Sequence, residues 1–279
     1  MHESVYIITG ASSGIGHALA IAVARPGIVL GLVGRDRTRL IDAAQACKAR
    51  GASAHVLPAD VRRRDEVRAT LLQFDAEHPV DCVIAGAGIS VGTSPSGEIE
   101  SEHEAFDLLE TNLFGALGTV LALMPRMRER RHGRIVLISS IAALAPLPDA
   151  AAYSGSKAAL LAYGLAMRER LRADGVKVNV VCPGFVTTPM AAHYVGWKPF
   201  EMSADEAARR IVQGLLRNRA VIAFPWPLVL AARFQQMLPE TLRRIGASAF
   251  QFKIAPRDQD SRAAGAEPGD LSQLESNKS

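Results

Sequence analysis

A tyrosine and a lysine, Tyr153 and Lys157, stand four residues apart in the stretch AAYSGSKAAL, otherwise small side chains compatible with a helix. Positions i and i+4 share one helix face about a turn apart, so a phenol and an ammonium there point the same way. A tyrosine hydroxyl titrates at about pH 10 in water and moves protons poorly at neutral pH; a neighbouring cation lowers that value. The pair therefore suits general acid–base chemistry. Taken alone, the same spacing also describes an ordinary surface pair, and the adjacent Ser139 and Ser140 an ordinary turn cap.

A second constellation lies near the N-terminus. TGASSGIG, residues 9–16, carries Gly10, Gly14 and Gly16 directly after an apolar run. A strand-to-helix turn that approaches a diphosphate needs residues without a Cβ, and the helix behind it offers free N–H groups and the positive end of its dipole. The spacing G-x-x-x-G-x-G differs from the G-x-G-x-x-G dinucleotide fingerprint, and a glycine-rich turn by itself can be merely structural. Its place after the first strand of a βαβ unit favours a cofactor. The next strand ends LVGRDRTRL at 32–40. An acidic residue there holds ribose hydroxyls, whereas an arginine accommodates a 2′-phosphate. With Gly34 at the acidic position and Arg35 after it, NADP(H) is expected over NAD(H); in the register one residue away, Asp36 would hold the ribose.

The elements that must position these residues alternate. Strands are expected at 4–9, 28–33, 53–58, 80–85, 133–139 and 175–181, and helices at 14–25, 37–50, 64–77, 103–131 and 152–173. Nearly continuous apolar strands in this rhythm predict an α/β fold, a single doubly wound domain with a central parallel sheet and helices on both faces. It is expected to span 1–254. Residues 184–203 mix Gly, Pro and aromatics as a loop or lid would, Ser203 and Glu206 form a capping box opening a helix to about 217, and 220–254 make an apolar, Pro-punctuated extension. Residues 255–279 are polar enough for a disordered tail.

Composition excludes several classes. With 279 residues, 48% hydrophobic and 22% charged, the chain has the balance of an ordinary well-buried protein. Its net charge is +4, and its arginines come in dispersed groups (35, 37 and 39; 62–64; 126–134; 243 and 244) without interleaved aromatics, so no nucleic-acid partner is expected. Cys47, Cys82 and Cys182 are few, far apart and set in apolar runs, which fits reduced thiols in a cytoplasmic protein and offers no metal site. The start, MHESVYIITG, lacks the features of a signal peptide, and the apolar run at 221–232 is too short to span a bilayer.

Together the ordered motifs resemble the short-chain dehydrogenase/reductase family: TGASSGIG, Asp60 and Val61 after the third strand, Asn112, Ser140, Tyr153-x-x-x-Lys157, and Pro183 with Gly184, over about residues 4–190. The resemblance implies a Rossmann-type fold and hydride transfer between a nicotinamide cofactor and a carbonyl or alcohol. It implies Tyr153 as the group exchanging a proton with the substrate oxygen and Lys157 as the one that binds the nicotinamide ribose and lowers the phenol's pKa. Ser140, 13 residues before Tyr153, would hold the oxygen, with Ser139 as its neighbouring competitor. Asn112 would hold a water that passes the proton outward. The cofactor would lie against Gly10, Ser12, Ser13, Gly14, Ile15, Gly16, Arg35, Asp60, Val61, Ala87, Gly88, Pro183, Gly184, Val186 and Thr188, the last with Thr187 as the alternative. His193, Tyr194, Trp197 and Phe200 would line the substrate mouth, unless their segment is a rigid plug.

Two departures from the family pattern stand out. Gly86 replaces an asparagine that usually ties the sheet together, and the extension at 220–254 replaces a short closing strand. Leu230, Phe234, Met237 and Leu238 fall at helical spacing there, Pro239 can open a second helix, and the stripe would serve as a peripheral membrane contact, a lid over the substrate, or packing on the core or a partner subunit. The expected activity is reduction of a bulky apolar ketone or aldehyde, or oxidation of the corresponding alcohol. The alternatives are an NAD-dependent alcohol dehydrogenase, a cofactor-binding sensor without turnover, and nucleotide-sugar epimerase or dehydratase chemistry; the length and the TGASSGIG turn oppose the last. The resemblance also implies a homodimer or homotetramer paired through the helices beginning near 103 and 152.

Overall fold

The computed structural model describes residues 4–239 and 253–254. The strands are β1 (Ser4–Thr9), β2 (Ile28–Gly34), β3 (Ser53–Pro58), β4 (Cys82–Ala85), β5 (Gly133–Ile138), β6 (Val176–Pro183), β7 (Val186–Thr187), β8 (Tyr194–Val195), β9 (Met202–Ser203), β10 (Val221–Phe224) and β11 (Lys253–Ile254). The helices are α1 (Gly14–Val23), α2 (Arg37–Lys48), α3 (Arg64–Glu77), α4 (Glu102–Leu109), α5 (Gly115–Glu129), α6 (Ala151–Leu171), α7 (Ala204–Leu216) and α8 (Trp226–Met237).

Seven strands form one parallel sheet in the order β10-β6-β5-β4-β1-β2-β3. Successive strand residues alternate faces, so β1 sends Ile8 into one apolar cluster and Ile7 into the other. The first cluster takes Leu19 of α1, Leu40 of α2 and Ile211 of α7; the second takes Leu71 of α3, Leu123 of α5 and Leu160 of α6. The sheet is thus covered on both faces, as its apolar strands require. Strand order reverses between β1 and β4, and ligands of such sheets bind outside the carboxyl ends of the strands at that reversal.

The structure corrects the expected elements in three places. The helix expected over 103–131 is broken by a π turn, Glu110–Phe114, that contains Asn112. Glu102–Glu129 is long and apolar enough by length and composition to cross a membrane, but half of its most apolar window is buried in this fold. A seventh strand, β10, pairs with β6 at the sheet edge inside the segment read as an apolar extension that replaces a closing strand; its four residues are too few to show a period. Ser203 does cap α7 by accepting from Glu206 N, but the Glu206 carboxylate ion-pairs with Arg209 and Arg210 instead of returning to the cap.

The stripe on α8 is helical, as expected, but Leu230, Phe234 and Met237 are exposed, and the helix packs through Leu228 and Ala232. The second helix after Pro239, most of the rest of the extension (240–252) and the tail at 255–279 lie outside the described residues.

Candidate active site

The carboxyl ends of β1, β2, β4, β5 and β6 open onto a cavity of about 870 Å³. Its floor is the turn after β1, where Gly10, Ser12, Ser13, Gly14, Ile15 and Gly16 line the cavity. Gly10 has φ +73°, and a Cβ there would stand 2.8 Å from Gly86 O, so only glycine lets the two turns touch. Ser13 makes no side-chain cap, which leaves the first N–H groups of α1 facing the cavity. These features fit the diphosphate of a dinucleotide.

Arg35, Asp36 and Arg39 line the next stretch. Asp36 is occupied as the cap of α2: its carboxylate accepts from Arg39 N at 3.0 Å and ion-pairs with the Arg39 guanidinium at 3.2 Å. Asp60 and Val61 follow β3 into the cavity. Burial alone would raise the Asp60 pKa, but hydrogen bonds from Arg62 hold it below the ordinary carboxylate range. Arg62 also bridges Asp60 to Asp107 of α4.

Ala87 and Gly88 line the cavity after β4. Gly86, where the asparagine was missed, has no room for a side chain: a Cβ would lie 2.9 Å from Thr9 O. The tie between β1 and β4 is made by Thr9, whose hydroxyl accepts from Gly86 N at 3.1 Å and Ala87 N at 3.2 Å.

Tyr153 and Lys157 sit at the start of α6 with Ser140 opposite, after β5, and all three line the cavity. The Lys157 Nζ is 5.5 Å from the centre of the Tyr153 ring and donates to Ile138 O at 2.9 Å. Burial pulls the ammonium down to about 8. The phenol is not lowered as expected. Burial pushes it up, Tyr194 reinforces the rise, and a hydrogen bond with Ser140 opposes it. Taking a phenolate out of water outweighs a lysine that is itself desolvated and bonded to a carbonyl.

The two serines separate clearly. Both line the cavity, but the Ser139 hydroxyl donates to Lys157 O at 2.7 Å, whereas Ser140 meets the Tyr153 phenol. Pro183, Gly184, Val186 and Thr188 line the side formed after β6, while Thr187 is exposed and does not. Asn112 is the exception. It is fully buried and does not line the cavity; its side chain accepts from Ile89 N at 2.7 Å and donates to Ile89 O at 2.8 Å, clipping the loop after β4.

Beyond Tyr153 the cavity becomes apolar. His193, Tyr194 and Trp197 line it as expected, but Phe200 does not. The sequence reading missed Ile141, Leu147, Phe185 and Met190, and one face of α8. That face, Leu228, Ala231, Ala232 and Gln235, follows i, i+3, i+4, i+7 spacing, a signal masked by the bulkier stripe beside it.

The family model of the short chain dehydrogenases matches residues 4–199. The chain belongs to the short-chain dehydrogenase/reductase family. This short-chain dehydrogenase is 34% identical over 237 residues to an oxidoreductase of Myxococcus xanthus (strain DK1622), covering 85% of this chain and 93% of that protein. Its fold is similar to a short-chain dehydrogenase from Sphingobium yanoikuyae in complex with NADPH (TM-score 0.74, 26% identity, 91% of this chain and 98% of that one). It also resembles a 3-oxoacyl-[acyl-carrier protein] reductase from Brucella melitensis with bound NAD (TM-score 0.68, 25% identity, 80% and 88%). The short-chain dehydrogenase is therefore an oxidoreductase acting on CH–OH groups with a nicotinamide cofactor.

Proposed function

We propose that this enzyme is an NADP(H)-dependent reductase of bulky apolar ketones or aldehydes, with Tyr153 as the proton donor. The observation that carries the reading is the placement of Tyr153, Ser140 and Lys157 where the glycine-turn end of the cavity meets an apolar wall. A nicotinamide cofactor held against the glycine turn and Lys157 would supply the hydride for the carbonyl carbon. Ser140 Oγ holds the carbonyl oxygen, and Tyr153 Oη gives it a proton. The raised phenol pKa keeps that proton in place at neutral pH, which suits a donor. Lys157 binds the nicotinamide ribose and, in its charged form, stabilises the phenolate left behind. Asn112 acts through Ile89, holding the loop beside Gly88.

Several observations support the finer points. Asp36 is committed to capping α2, and Gly34 puts no side chain beside Ser12, so Ser12, Arg35 and Arg39 are the groups available to a 2′-phosphate. Every lining aspartate and arginine lies at the cofactor end, which leaves Lys157 and His193 as the basic groups beside a mostly apolar wall. Exposed Phe106, Phe114, Leu121 and Leu165 on the stretch from α4 to α6 support a homodimer or homotetramer. The outward face of α8, with Trp226 (73% exposed) and Met237 (83%), supports peripheral membrane contact. Three free, buried cysteines support a cytoplasmic setting.

The test is a pair of titrations with NADPH and NADH, followed by turnover on a panel of apolar ketones read by nicotinamide absorbance. Tyr153→Phe is expected to lower kcat by about 10² to 10⁴ with the NADPH Kd unchanged, and retained turnover removes Tyr153 as the acid. Arg35→Ser is expected to weaken NADPH about 10-fold to 100-fold and leave NADH unaffected. Tighter binding of NADH than NADPH by the unaltered enzyme overturns the cofactor assignment.

A further inference from the structure

Lys253 and Ile254 return to the active site from about a hundred residues beyond Tyr153. As β11 they pair antiparallel with β8, Lys253 opposite Val195 and Ile254 opposite Tyr194. The other edge of β11 is also engaged: Ile254 N donates to Thr93 O at 2.9 Å, and Lys253 Nζ to Pro95 O at 3.0 Å. Thr93 N in turn donates to Asp149 O at 2.7 Å. A Cβ at Gly92 would lie 2.2 Å from Asp149 O and 2.9 Å from Ile254 Cδ1, so these stretches meet only because position 92 has no side chain.

Ile254 is 7% exposed and belongs to neither sheet core. With Ala150 it forms a small separate cluster, against which Leu147, Tyr153, Phe185 and Tyr194 pack. Those four side chains line the cavity, and Ile254 does not. It therefore stands one layer behind the wall that faces the reacting carbonyl. The wall comes from three stretches with little regular structure of their own. Among the described residues, β8 has β11 as its sole strand partner. What is packed behind such a wall decides where it stands.

We propose that Ile254 is a positioning residue that sets the substrate wall: it holds Tyr194, Phe185 and Leu147 in place against Tyr153 and so limits the size of the group flanking the carbonyl. This rests on the carbonyl-reductase reading above.

The experiment compares full-length Ile254→Ala, Ile254→Val and Ile254→Phe on phenyl ketones whose second substituent is methyl, ethyl or isopropyl. In Ile254→Ala the ratio of kcat/KM for the isopropyl ketone to that for the methyl ketone is expected to rise about 10-fold, in Ile254→Phe to fall by a similar factor, and in Ile254→Val to stay near the unaltered enzyme. The NADPH Kd is expected to be the same in all four proteins. A merely structural role would scale every ketone by one common factor, and that outcome overturns the proposal. If the unaltered enzyme reduces none of the ketones, the functional reading fails on its own. Amide exchange then decides the positioning claim: Ile254→Ala is expected to speed exchange across 185–200 without changing NADPH affinity, and unchanged exchange there overturns it.

Discussion

The two ends of the cavity are built on different principles. At the cofactor end, backbone geometry does the positioning: a glycine turn with a left-handed residue, an uncapped helix N-terminus, and Thr9 holding the amides of Gly86 and Ala87. At the other end, side chains from the loop after β5, the loop after β6, α8 and β11 lean on one another, and apart from α8 their regular structure among the described residues is two-residue strands and 3-10 turns. The first construction has no room for a Cβ at Gly10, Gly16 or Gly86, where backbone atoms stand within 3 Å of its place. The second is a packed wall whose shape follows the volume behind it. Substrate preference is thus free to change without disturbing the hydride source.

The comparison is broken most severely at the turn. Gly10→Val forces a β-branched residue into φ +73° with its Cβ 2.8 Å from Gly86 O. NADPH binding is expected to disappear from a calorimetric titration, and Tm to fall by about 5 °C. Binding like that of the unaltered enzyme would show that the turn is not limited by its backbone.

A smaller effect is expected where the two ends meet. Burial holds the Lys157 pKa at about 8, and a cofactor ribose bound to the ammonium favours its charged form, so the bound-state pKa lies higher. Binding above pH 8 therefore takes up a proton: NADPH affinity should stay level below pH 8 and weaken by up to about tenfold per unit above it. Lys157→Met should flatten that dependence, and a level affinity from pH 7 to pH 9.5 in the unaltered enzyme would remove the lysine from the cofactor site.

The smallest effect belongs to the wall. Trp197 lines the cavity but is 70% exposed, so Trp197→Ala is expected to raise KM for large apolar ketones about fivefold while cofactor affinity and Tm stay level. A change in NADPH affinity of similar size would mean that the two ends are not independent.

Legibility in the sequence follows the same division. The βα rhythm, the glycine turn, Arg35, Asp60, Ser140, Tyr153 and Lys157 could all be read because their requirements are local: a period, a missing Cβ, a fixed spacing along one helix. What failed depended on partners far away in the chain. The phenol's pKa was expected to fall with Lys157 beside it, but burial raises it. Asn112, expected to hold a water that passes the proton outward, sits in a π turn with its amide bonded to the backbone of Ile89. The bulky stripe of α8 was legible, although the face that lines the cavity is the quieter one beside it.

The sequence by itself determined the family, the parallel sheet, the glycine turn and the Tyr153–Lys157 pair, since each is written in neighbouring residues whose chemistry does not wait for the rest of the fold. Only the tertiary structure decided the electrostatics of that pair and the wall it faces. Desolvation depends on everything that surrounds a group, and Ile254, about a hundred residues from Tyr153 along the chain, is brought beside it only by the tertiary fold.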